Sequence, residues 1–131
     1  MEAKNKMTAQ ETLELKRFPV VVESECKNIS RVYPLKQAEA ARIYETAALF
    51  PFVKRIYLFG SSVTGRCHID SDLDICIDAD TKDGMDIFRL QKEIGDICNW
   101  NCDMVMYSNI GNRLKETIAE EGVIIYEQSA S

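Results

Sequence analysis

From residue 34 onward the apolar positions alternate between two rhythms. Leu35, Ala38, Ala41, Ile43, Tyr44, Ala47 and Ala48 recur at helical spacing and end near Phe50. Pro34 suits the first turn of that helix, and Pro51 breaks it. RIYLFG at 55–60 is a compact apolar run stopped by glycine, the pattern of a buried strand. A short helix or turn is predicted over 61–66. LDICID at 73–78 alternates apolar and acidic residues, as a half-exposed strand does. Residues 84–99 carry Ile87, Leu90, Ile94 and Ile97 on one stripe and predict a helix. NCDMVMY at 101–107 predicts a strand. Residues 109–121 predict a helix through Leu114 and Ile118, with Gly122 as its stop, and VIIY at 123–126 predicts a last short strand. The order α-β-α-β-α-β-α-β argues for an α/β fold in which helices pack on a sheet.

Residues 1–33 lack this rhythm. They read as an N-terminal extension to a single domain over 34–131. Thr8 and Glu11 have capping-box spacing, which predicts a helix over about 8–18 that Pro19 ends. VVVES at 20–24 predicts a short strand.

A chain of 131 residues is expected to form one domain with a core that needs no disulfide or structural metal. The net charge of −5 argues against broad nucleic-acid binding, which needs a basic face. It is compatible with a nucleotide substrate, because metal ions neutralise phosphates locally. No apolar run approaches the roughly 20 residues that span a bilayer, and the N-terminus lacks the apolar centre of a signal peptide. The five cysteines, Cys26, Cys67, Cys76, Cys98 and Cys102, include no CxxC pair. They read as reduced thiols of a cytoplasmic protein. Cys67, His68, Cys98 and Cys102 match no usual zinc spacing.

The chemistry concentrates in LFGSSVTGRCHIDSDLDICID, residues 58–78. Gly60 follows a buried strand and permits a sharp turn. Ser61 and Ser62 then stand at a helix start, where free N–H groups seat phosphate. Asp72 and Asp74 are two apart on the predicted strand, so both carboxylates share one face about 7 Å apart. Carboxylates so placed can share a pair of Mg²⁺ ions. Taken alone, each of these patterns is more often an ordinary turn or a solvated strand face. A calcium loop through Asp70, Asp72 and Asp74 fails, since Ile75 and Thr81 stand where glycine and glutamate are required. Asp103 is a third carboxylate, on a strand whose Cys102, Met104 and Met106 point the other way. Its burial without a partner would be costly.

Gly60 and Ser61, ten residues, Asp72-Leu73-Asp74 and the distant Asp103 together resemble the nucleotidyltransferase superfamily that includes DNA polymerase β. The likeness is greatest to its minimal single-domain members, which are often encoded beside HEPN-domain proteins. It spans about residues 36–126 and includes the ending EEGVIIY. It implies the nucleotidyltransferase fold, with helices on a mixed sheet of about four strands. It also implies transfer of a nucleoside monophosphate, AMP from ATP, to an acceptor hydroxyl with Mg²⁺ as cofactor, two ions in number. Asp72, Asp74 and Asp103 would be catalytic and metal-binding, and Gly60, Ser61, Ser62 and Arg66 would bind nucleotide. A HEPN-domain protein would be the partner, in an antitoxin-type pair.

Two departures bear on this. Minimal members often read GSRARG, whereas GSSVTG puts Ser62 and Thr64 in place of two arginines and leaves Arg66 as the nearby cation. GSSVTG also looks like the loop of poly(A) and terminal uridylyl transferases, but those need a second helical domain for which this chain is expected to have no room. The rival readings are a small-molecule transferase of the aminoglycoside type and a non-catalytic module that blocks a partner by contact. Retention of all three carboxylates ranks catalysis above the latter.

Overall fold

The computed structural model describes residues 17–65, 67 and 70–129. Helix α1 (Pro34–Ala47) leads into strand β1 (Val53–Phe59), the single-turn helix α2 (Ser61–Thr64) and strand β2 (Leu73–Ala79). Helix α3 (Gly84–Ile97), strand β3 (Cys102–Met106), helix α4 (Asn112–Glu121) and strand β4 (Val123–Glu127) complete the chain. The four strands form one mixed sheet in the order β3-β2-β1-β4. β1 is antiparallel to both β2 and β4, and β2 is parallel to β3. The helix and strand order read from the sequence from residue 34 onward is therefore the observed one.

The two faces of the sheet differ because strand residues alternate. Ile56 and Leu58 of β1, Leu73, Ile75 and Ile77 of β2, and Val123 and Ile125 of β4 are buried in one core. Ala40, Ile43 and Ala47 of α1 join Leu90, Ile94 and Ile97 of α3 in covering that face. Along the opposite face run Tyr57 and Phe59, then Asp74, Cys76 and Asp78, then Asp103 and Val105, in register across the three strands.

Several local expectations are corrected. VVVES forms no strand; residues 17–33 contain one 3₁₀ turn, Ile29–Arg31, in otherwise irregular chain. Of the helix expected over 8–18, residues 17 and 18 are irregular and the rest lies outside the described residues. α3 stops at Ile97, with Asp83 capping its start by accepting from the Met85 N–H at 2.9 Å. The last helix starts at Asn112, because residues 107–109 form a 3₁₀ turn. Gly122 does end α4, but in extended backbone with φ −69°. Glycine is needed there for close approach: a Cβ would press on the Ile118 carbonyl and lie 3.0 Å from its Cγ2.

β2 is not a half-exposed strand. Central in the sheet, it buries Cys76 as well as the isoleucines, and Asp74, Asp78 and Ala79 keep partial access to water. Residues 17–33 are tied to the domain through Cys26 and Val32, both in the core, and through Gln37 of α1. The buried Gln37 amide accepts from the Val21 N–H at 2.8 Å and donates to the Pro19 and Val32 carbonyls at 2.8 and 2.9 Å.

Candidate active site

β1 delivers the chain to Gly60 at the end of the sheet where β2 begins. Gly60 has φ 78° and ψ −149°, a conformation open essentially to glycine. The reason for glycine is also spatial. A Cβ there would fall against Oδ2 of Asp74 and 3.3 Å from its Cγ. The turn at Gly60 is thus folded directly against the carboxylate that the sequence marked, and Phe59 is the Cα partner of Asp74 across the antiparallel ladder.

Ser61 opens α2 at this turn, half-buried. Ser62 points inward: it is 1% exposed, and its Oγ has no hydrogen-bond partner. Its carbonyl accepts from the Tyr33 N–H at 2.8 Å, which ties the start of α1 to α2. The Ser62 hydroxyl therefore does not face outward with Ser61. Thr64 turns its Oγ1 to the Gly60 carbonyl at 3.1 Å, and Gly65 closes the turn at φ 87°. Arg66 lies outside the described residues, as does His68.

The three aspartates gather on the face opposite the core. Asp72 stands one residue before β2, exposed, rather than within the strand as expected. Asp74, half-buried, is the second residue of β2. Asp103, the second residue of β3, is its register partner across the parallel ladder. Asp103 is exposed, so the cost of a buried lone carboxylate does not arise. Burial foremost, then the charges of Asp72 and Asp103, hold the Asp74 carboxyl above the usual carboxylate range. Among the described residues no lysine or arginine pairs with any of the three.

As they stand, the side chains line a surface and do not close on a point; no three ligand-type side chains among the described residues enclose an ion. The donor set still suits a hard divalent cation, which prefers carboxylate oxygen. Mutual repulsion without a compensating cation, and a glycine kept clear beside Asp74, are what such a site requires.

Residues 41–131 match the family model described as Polymerase beta, Nucleotidyltransferase. The chain belongs to this family, a family of nucleotidyltransferases. Its fold is similar to solved toxin–antitoxin structures. One, a toxin–antitoxin with AMP-PNP, is 25% identical, with 69% of this chain and 74% of that chain covered and a TM-score of 0.57. A second holds a tri-AMPylated Shewanella oneidensis HEPN toxin with its MNT antitoxin; it is 23% identical over 71% of this chain and 73% of that one, with a TM-score of 0.54. A third, the toxin–antitoxin MntA-HepT, is 22% identical over 70% and 73%, with a TM-score of 0.53. No curated protein sequence matches the chain. Among the described residues no helix is long and apolar enough to cross a membrane.

Sequence reasoning missed the burial of Ser62 and the contact between Gly60 and Asp74. A signal for the first was available: Ser62 precedes Val63 in a one-turn helix that must bury a face. The second needs the pairing of β1 with β2, which no local pattern carries.

Proposed function

We propose that this chain transfers AMP from ATP to a hydroxyl on a HEPN-domain partner protein. The observation that carries the reading is the side-by-side placement of Asp74 and Asp103, with the Gly60 turn folded against Asp74. The similar structures that hold AMP-PNP and an AMPylated HEPN toxin supply the nucleotide and the partner class.

In this reading the N–H groups at Gly60 and Ser61 bind the β- and γ-phosphates, and Arg66, close in sequence, would contribute its charge. The α-phosphate lies over Asp74 and Asp103. Asp72, Asp74 and Asp103 would hold two Mg²⁺ ions, whose chemistry is to neutralise the triphosphate and make the acceptor hydroxyl more acidic. The acceptor oxygen forms a bond to the α-phosphorus as the α–β bridging P–O bond breaks, and pyrophosphate leaves. Asp103, the more exposed of the register pair, takes the hydroxyl proton. The remaining work is positioning and charge neutralisation.

The test is intact mass of a co-purified HEPN-domain partner after incubation with ATP and Mg²⁺. Each transferred AMP adds one adenylyl mass, and Asp74→Asn should add none. A partner that binds but gains no mass would replace this reading with a module that acts by contact.

A further inference from the structure

The face that carries the aspartates continues beyond them. Asp103 and Val105 follow one another on the same side of β3, and Tyr107 opens the 3₁₀ turn just past the strand's end. Val105 pairs with Cys76, which in turn pairs with Tyr57 of β1. Tyr57 and Tyr107 stack, with centroids 6.1 Å apart and planes 20° from parallel. The Lys115 ammonium of α4 lies 4.8 Å from the centre of the Tyr107 ring. This chain of contacts places Lys115 and both tyrosines on the aspartate face, although α4 is remote from β2 in sequence.

Direction gives the cluster its meaning. The Gly60 turn lies off one end of Asp74, and Tyr107 lies off the other. Tyr107 stands four positions after Asp103, just past the end of β3, roughly 13 Å away at the usual strand rise. With the β- and γ-phosphates at Gly60 and the α-phosphate over the aspartates, a nucleoside running along the sheet reaches toward Tyr107. Between Asp103 and Tyr107, Val105 is half-buried and uncharged, and Cys76 beside it is already covered.

None of the three residues belongs to the hydrophobic core. Tyr57, Tyr107 and Lys115 are each half-buried, so each keeps some surface open. Tyr–Lys stacking holds the ammonium in place, and an amine so held donates to ring nitrogens or carbonyl oxygens of a base.

We infer that Tyr107 and Lys115 form the nucleobase-contacting wall of the nucleotide site. Tyr107 supplies an aromatic contact to the base, and Lys115 donates to its acceptor atoms. Tyr57 supports the Tyr107 ring from β1. The inference rests on the nucleotide-transfer reading and adds to it the residues that hold the nucleoside.

Binding measurements on the full chain separate the two. Mg²⁺ with α,β-methylene-ATP and Mg²⁺ with inorganic triphosphate are titrated into wild type, Lys115→Gln, Tyr107→Leu and Tyr107→Phe. Lys115→Gln and Tyr107→Leu should each weaken the ATP analogue by roughly tenfold, within the range that stacking contacts carry. Both should leave triphosphate binding unchanged, and Tyr107→Phe should stay near wild type for both ligands. Unchanged triphosphate affinity also reports that the variants are folded. If wild type binds both ligands and the variants bind the analogue as it does, the nucleobase wall is wrong while nucleotide transfer stands. Equal loss of both ligands overturns it too, because the contact would then be to phosphate or to the fold. If wild type binds neither ligand, the nucleotide reading fails and takes this inference with it.

Discussion

Asp74 and Asp103 are Cα partners across the parallel β2–β3 ladder, so two carboxylates of like charge stand side by side with no cation paired to either among the described residues. Like charges opposite one another destabilise a sheet. The arrangement is a cost to folding that a bound cation would offset.

The pH dependence follows from Asp74. Its folded pKa is raised, first by burial and then by Asp72 and Asp103. A raised carboxyl contributes stability that is fully present below the ordinary aspartate range and is lost as pH rises through the folded value. Without metal, Asp74→Asn should therefore melt above wild type at pH 7. The difference should close by roughly pH 3, below the ordinary aspartate pKa. Melting curves across that range check both. A gap that widens in acid would contradict the direction of the shift.

Metal should reverse the ranking. Saturating Mg²⁺ with ATP stabilises the form that binds it, by about 2.7 kcal/mol at a hundredfold excess over Kd. Wild type should gain at least a few degrees in Tm. Asp103→Asn should gain less, and Asp74→Asn least. Equal gains in all three proteins would remove the aspartates from metal binding.

Gly60 and Gly84 make a contrasting pair. Gly60→Ala strains a glycine-only backbone and drives a methyl into Asp74, so about 1–3 kcal/mol of stability should be lost. Transfer should fall on the order of 100-fold through displacement of that carboxylate. Gly84 meets nothing within 4 Å, and Gly84→Ala should be neutral or stabilising by about 0.4–1 kcal/mol with activity intact. Urea unfolding and a transfer assay on both variants decide the matter.

Cys26, Cys76 and Cys98 are buried, and burial pushes their thiols up to about 12, 11 and 12. They are free, with no disulfide among them. A thiol far above its usual value carries little thiolate at neutral pH and reacts slowly. In the native protein an aromatic disulfide reagent should find these three unreactive, with Cys102, partly exposed, modified first. All five should react in denaturant, and metal analysis should find no stoichiometric zinc. Rapid native modification of Cys26 or Cys98 would contradict their burial.

The fold was legible because the elements from Pro34 to Tyr126 are carried by local signals: Pro34 and Pro51 around α1, the stripe from Ile87 to Ile97, and glycines at the ends of β1 and α4. The candidate site was legible as a pattern, because Gly60, Ser61, Asp72, Asp74 and Asp103 keep a spacing tied to one fold. What stayed hidden depends on contacts distant in sequence. The three valines at 20–22 have strand propensity but no strand to pair with, and the Gln37 amide takes up the Val21 N–H instead. Asp103 acquires its meaning only from β2 beside it. Lys115 reaches the aspartate face only because α4 folds back over Tyr107.

Gln37 gives a last prediction, because one buried amide carries the junction of residues 17–33 with α1. It satisfies two carbonyls and one N–H at once, and it is 0% exposed. Gln37→Ala leaves those groups unpaired. The Val21 and Pro19 ends can rehydrate, since that stretch is largely exposed, whereas Val32 is buried. The loss should be about 1–3 kcal/mol, the penalty of a stranded buried polar group, with faster hydrogen exchange at Val21. Residues from Cys26 onward should remain protected, because Cys26 itself belongs to the core. Gln37→Glu is the sharper test. It keeps the size and the acceptor for Val21 but sets a carboxylate against the Pro19 and Val32 carbonyls. Burial and those carbonyl oxygens both favour the protonated acid, so the folded pKa of the new group should lie above its unfolded value. Stability of Gln37→Glu should then be greatest in acid and fall as pH rises through that folded pKa, while Gln37→Ala shows no such slope relative to wild type. Melting temperatures of the three proteins at about pH 4.5, close to the ordinary glutamate pKa, and at about pH 8, well above it, measure the fall. Parallel pH profiles for Glu and Ala would mean that the amide is not the anchor of the N-terminal segment.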